Sequence, residues 1–119
     1  MIIGTHAVVF AADPDRARSF FRDVLGLPHV DAGEGWLIFR MPPAEVGVHP
    51  AEPDAAGAHE LYLMCDDIAA TVAELTAKGA EFSAGGIVDA GFGRVAHLII
   101  PGGGRLGIYE PRHPVAFDL

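Results

Sequence analysis

Apolar residues recur along this chain in two rhythms, a strand rhythm and a helix rhythm, and the second half restates the first. Thr5-His-Ala-Val-Val-Phe-Ala-Ala12 is apolar and partly β-branched, the pattern of a strand. It runs into Asp13-Pro14, where Asp can cap free helix N–H groups and Pro suits the first helical position. Ala17, Phe20, Phe21, Val24 and Leu25 then recur at the spacing of one helix face. Gly26 stands where a C-terminal cap belongs, and Pro28 blocks continuation. Short strand-like pieces follow at His29–Ala32, Trp36–Met41 and Glu45–His49, separated by Gly-rich or Pro-Pro turns.

The rhythm then restarts. Glu60–Cys65 reads as a strand, and Asp66-Asp67 starts a helix with Ile68, Val72 and Leu75 on one face. Lys78 falls in its last turn and Gly79 ends it. Glu81–Val88, Arg94–Ile100 and Arg105–Glu110 complete a second strand, helix, strand, strand, strand series. Asp67 lies 54 residues after Asp13, and Glu60 lies 54 after His6. Val46-Gly47-Val48 matches Leu106-Gly107-Ile108 at an offset of 60, and each copy closes on a Pro, Pro50 and Pro111. One such copy cannot bury both faces of its sheet, so two should pack together. The expected organisation is a single domain over 1–119: one module over 1–50, a linker over 51–57, a second module over 58–112 and a tail over 113–119.

Composition narrows the partners. With 16 acidic and 8 basic side chains the net charge is −8, and no cluster of Lys and Arg is present to grip phosphates. Nucleic acid and anionic membrane surfaces are therefore not expected partners. No run of about 18 apolar residues occurs, so no membrane-spanning helix is expected. Cys65 is the only cysteine, which rules out an intrachain disulfide. Met1–His6 lacks a basic n-region and turns polar early, so a cytoplasmic protein is the expectation.

The repeat, its opening strand His and its Asp-capped helices resemble the vicinal oxygen chelate superfamily of glyoxalases, extradiol dioxygenases and fosfomycin- and bleomycin-resistance proteins. The most specific pieces are His6 to Phe21 followed by Val24-Leu25-Gly26-Leu27, the entry Cys65-Asp66-Asp67-Ile68, and Pro101-Gly-Gly-Gly-Arg-Leu-Gly-Ile-Tyr-Glu-Pro111. The resemblance implies an α+β fold of two βαβββ modules forming a half-open mixed-sheet cleft. It also implies a homodimer, because many relatives of this length build their sites from both modules in dimers. Metal-dependent members carry four ligands, on the first and last strand of each module. By position these fall on His6 and Glu60, then on Gly47 and Gly107, and a glycine offers no side-chain donor.

Substitutes for the lost ligands are limited. His49 and Tyr109 lie two residues beyond the glycines, roughly 7 Å along a strand, whereas metal–ligand bonds are about 2.0–2.2 Å. A bulge or register shift would be needed to make His6, His49 and Glu60 a two-His, one-carboxylate set. The phase is also open, because a one-residue slip exchanges Glu60 for His59. Alternation places His6, Val8 and Phe10 on one face and Glu60, Tyr62 and Met64 on the matching one, with His49, Tyr109 and the aromatic Trp36 nearby. His97 lies mid-strand in Val-Ala-His-Leu-Ile, where burial without a partner is costly, and so should face the cleft or a partner. Each has an ordinary structural alternative: His6 as a hydrogen-bonded strand residue, Glu60 as a rim carboxylate, His49 as a turn residue, Tyr62 and Trp36 as core. His29 and His113 read as solvent exposed.

The candidate ligand-binding set is therefore His6, Phe10, Trp36, His49, Glu60, Tyr62, His97 and Tyr109, with His6 and Glu60 the candidate metal ligands. The favoured function is a small-molecule-binding protein lacking a complete metal site, and the cofactor is left open between none and a divalent metal. One alternative is a metal-dependent lyase, isomerase or dioxygenase with Zn, Ni, Mn or Fe chelating vicinal substrate oxygens. Another is metal-independent acid/base chemistry by Glu60 and His6.

Overall fold

The computed structural model describes residues 7, 9, 11–45, 47, 53–54 and 59–115. In chain order these form α1 (Pro14–Asp23), β1 (His29–Asp31), β2 (Leu37–Phe39), β3 (Tyr62–Met64), α2 (Ile68–Ala77), β4 (Val88–Asp89), β5 (Gly93–Ile100) and β6 (Gly104–Pro111).

Both helices begin where their local chemistry demands. The Asp13 side chain accepts from the Arg16 N–H at 3.1 Å, and Asp67 accepts from the Ala70 N–H at 3.0 Å. The end of α2 is closed in the same local way. Gly79 takes φ +95°, its N–H bonds the Thr76 carbonyl at 3.0 Å, and the Ala80 N–H bonds the Leu75 carbonyl at 3.0 Å. That is a Schellman closure, which needs a residue at ease in the left-handed region. Lys78, expected in the last turn, is the cap residue itself.

The four later strands form one sheet in the order β3-β6-β5-β4, with β3 parallel to β6 and the other pairs antiparallel. β5 and β6 pair over their full length from Gly93↔Pro111 to Ile100↔Gly104, through the turn at Pro101–Gly103. β1 and β2 form a separate antiparallel pair, His29↔Phe39 to Asp31↔Leu37. The architecture is thus α+β with one mixed and one antiparallel sheet. The Ala12 N–H bonds the Gly102 carbonyl at 2.6 Å and ties the entry to α1 onto the β5–β6 turn.

One expected strand differs from that observed. Glu81–Val88 is not one strand: Phe82 makes an isolated bridge to Leu98, and the ladder resumes only at Val88–Asp89. Gly85 and Gly86, at φ +100° and +58°, turn the chain between them, a backbone state a ladder cannot continue through. Thr5–Ala12 and Glu45–His49 lie largely outside the described residues.

Alternation along β5 and β6 sorts the molecule into a core and an open face. Ala96, Leu98, Ile100, Leu106 and Ile108 point one way and meet Ile68 and Leu75 of α2 and Ala17, Phe20 and Phe21 of α1 in one apolar cluster. Ile68, Leu98 and Leu106 are all but fully buried. Each such side chain contributes about 1.5–3 kcal/mol by leaving water.

Candidate functional site

The other face of the same ladder carries the candidate site. Register places Tyr62 beside Gly107, Met64 and Val95 beside Tyr109, and His97 beside Gly107. These side chains therefore rise from three adjacent strands on the side away from the helices. Tyr62, Val88, Ala90, Phe92, Val95 and His97 line a pocket of about 290 Å³.

Gly107 decides the shape of its floor. A Cβ at this position would overlap the Tyr62 ring, which lies directly across the glycine. Tyr62 also stands edge-on to Tyr109, with centroids 5.6 Å apart at 84°, and 6.3 Å from the His97 ring. Its hydroxyl donates to Glu60 Oε2 at 2.8 Å. Partial burial raises the Tyr62 pKa, and the hydrogen bond to Glu60 and that carboxylate's charge raise it further. Tyr109 is raised too, by burial first and by the Glu45 charge second.

The wall opposite Tyr62 comes from the β4–β5 turn. Asp89 accepts from the Gly91 N–H at 3.0 Å and from Arg112 at 2.6 Å, while the Arg112 N–H bonds the Phe92 carbonyl at 2.9 Å. These contacts hold Phe92 edge-on to Tyr109, centroids 5.9 Å apart, and leave it half exposed toward the pocket. Gly93 follows because a side chain there would strike the Glu110 carbonyl.

The expected site residues fall into three groups. Tyr62 and His97 line the pocket, Tyr109 backs both Tyr62 and Phe92, and Glu60 anchors the Tyr62 hydroxyl. Trp36 is placed elsewhere: it is 60% exposed, and the Arg18 guanidinium lies 4.6 Å from its ring, a cation–π contact beside α1. His6, Phe10 and His49 lie outside the described residues.

Val88, Ala90, Phe92 and Val95 were not anticipated by sequence. The one available signal was Gly91-Phe-Gly93, an aromatic displayed between two glycines at a hairpin. His113, expected to be solvent exposed, is half-buried: its Nε2 lies 3.3 Å from the Tyr109 hydroxyl and its Nδ1 2.9 Å from the Pro114 carbonyl. His29 is exposed, as expected, beside an open pocket of about 360 Å³ formed with Pro28, Val30, Ile38, Phe39 and Arg40.

The donor set can be tested against a chelated metal. Among the described residues no group of three or more His, Cys, Asp or Glu side chains is arranged to hold one. Gly107 is roofed by an aromatic ring, Gly47 has no donor, and Glu60 already accepts the Tyr62 hydroxyl. The nearby Glu110 faces the helices, where its Oε1 accepts from the Ile68 N–H at 3.1 Å. Of the three candidate ligands His6, His49 and Glu60, the described residues supply Glu60 alone.

Residues 5–98 match the family model described as Glyoxalase/Bleomycin resistance protein/Dioxygenase superfamily. The chain belongs to this superfamily. Solved structures of the superfamily's fold agree over nearly its whole length. TnmS3, an antibiotic binding protein from Streptomyces sp. CB03234, is 24% identical, with 93% of this chain and 98% of that one covered at a TM-score of 0.66. Lactoylglutathione lyase from Agrobacterium tumefaciens is 17% identical, with 91% and 92% covered at 0.63. A superfamily member from Sphaerobacter thermophilus DSM 20745 is 20% identical, with 92% and 98% covered at 0.62. At these identities the likeness establishes the shared fold. No curated protein matches the chain. No described helix is long and apolar enough to cross a membrane.

Proposed function

We propose that this superfamily member is a binding protein that holds a small molecule in the Tyr62–His97 pocket without a complete metal-chelating set. The observation that carries the reading is the Tyr62 ring lying across Gly107. Where metal-dependent relatives are expected to place a last-strand ligand, this chain has an aromatic surface. The pocket beside it is mainly apolar with a few polar groups, the usual makeup of a small-molecule site. An antibiotic binding protein among the structures of this fold is consistent with such a role.

In this reading the protein acts in the cytoplasm as a homodimer. Exposed apolar side chains outside the Tyr62–His97 pocket, including Val30 and Ile99, favour such self-association. Its single cysteine suits a reducing compartment.

Metal analysis of tag-free protein, purified without chelator, tests the proposal. The expected result is Zn, Ni, Mn and Fe each far below one equivalent per chain. Light scattering on the same preparation should give twice the 12.5 kDa chain mass. One equivalent of any of these metals, lost on His6→Ala, would overturn the metal-free reading in favour of a lyase, isomerase or dioxygenase.

A further inference from the structure

We infer that the pocket takes a flat aromatic molecule that bears a hydroxyl and no positive charge, and that His97 is the group that recognises the hydroxyl. This rests on the binding role proposed above and narrows it to a ligand class.

Charge is the first consideration. None of the six lining residues carries a carboxylate, ammonium or guanidinium. Among the described residues the carboxylates beside the pocket are already engaged. Asp89 holds Arg112 at 2.6 Å, Glu60 accepts the Tyr62 hydroxyl at 2.8 Å, and the Arg105 charge opposes that of Glu60 at Tyr62. The net charge of −8 therefore does not extend into the pocket. A cationic ligand would lose hydration there without gaining a free carboxylate among the described residues.

Shape is the second. Tyr62, Phe92 and His97 present rings, and Val88 and Val95 present branched side chains between them. Tyr62 and Phe92 share Tyr109 as an edge-on neighbour. Such rings reward a flat aromatic body through stacking and edge contacts. A flexible chain filling the same space would lose rotor freedom on binding. At about 290 Å³ the space lies at the small end for such sites.

The polar anchor is the third. The His97 ring meets Tyr62, yet among the described residues neither of its nitrogens has a hydrogen-bond partner. Imidazole both donates and accepts, so a ligand hydroxyl satisfies it in either tautomer.

The test compares three probes at neutral pH: 2-naphthol, 2-methylnaphthalene of matched shape, and decan-1-ol, a flexible alcohol. The naphthalenes are followed by their own fluorescence and decan-1-ol by competition. Tightest binding is expected for 2-naphthol, by about tenfold over 2-methylnaphthalene, the upper range for one hydrogen bond. In His97→Phe, 2-naphthol should fall to the level of 2-methylnaphthalene, whose retained binding shows that the pocket is intact. Equal binding of the three probes, or a preference that survives in His97→Phe, would overturn the ligand class while leaving a binding pocket. Failure of all three to bind would overturn the pocket reading as well. The wild-type comparison stands even if the variant does not fold.

Discussion

At Gly107 the missing side chain is part of a contact, because the Tyr62 ring occupies the volume a Cβ would need. The phenol is held from two sides, by Tyr109 edge-on and by Glu60 at its hydroxyl. Both burial and the carboxylate raise its pKa above the ordinary phenol value of 10.0, so folding favours the neutral phenol. A group raised in the fold stabilises it fully below its unfolded pKa and loses that contribution as pH climbs through the folded value. Stability should therefore decline as pH rises past 10.0. Titrating phenolate absorbance checks the cause: Glu60→Gln should move the Tyr62 transition to lower pH, and an unmoved transition would mean that the carboxylate plays no part. That position 107 offers no side-chain donor was legible in Leu106-Gly107-Ile108. That the Tyr62 ring covers it was not, because the contact depends on a parallel register between strands more than forty residues apart.

Both helices and the short strands β1, β2 and β3 were legible in this chain and the extent of β4 was not, and the difference is one of range. Asp13 and Asp67 cap N–H groups three residues away, and Gly79 closes α2 with its own neighbours, so each signal is local. Asp67→Ala should cost about 1 kcal/mol in denaturant unfolding, with unchanged m-value. A second, long-range acceptor acts at the same helix end, where Glu110 takes the Ile68 N–H. The two acceptors serve different N–H groups, so the costs of Asp67→Ala and Glu110→Ala should add within about 0.5 kcal/mol if the sites are independent. Strong coupling would show that they act as one cap. β4, by contrast, was misjudged in extent, since Gly85 and Gly86 could be read from sequence as residues but not as the place where pairing stops.

Across the whole molecule, one β-ladder separates two environments. Its inner face joins both helices in the apolar core, and its outer face carries the Tyr62, Phe92 and His97 rings. Composition could not show this division, because the net charge of −8 describes the surface and not the pocket. Alternation put Tyr62 near Tyr109, and the cost of burial turned His97 toward the cleft or a partner, but Phe92 depends on how Arg112 and Asp89 fold the β4–β5 turn. A second open pocket, between Pro28 and Arg40, supplies a built-in comparison within the same chain. Amide chemical-shift mapping during titration with 2-naphthol tests the central claim most directly. The account predicts saturable shifts concentrated at Tyr62, Val88, Ala90, Phe92, Val95 and His97. Shifts confined to Pro28–Arg40, or scattered without saturation, would contradict it.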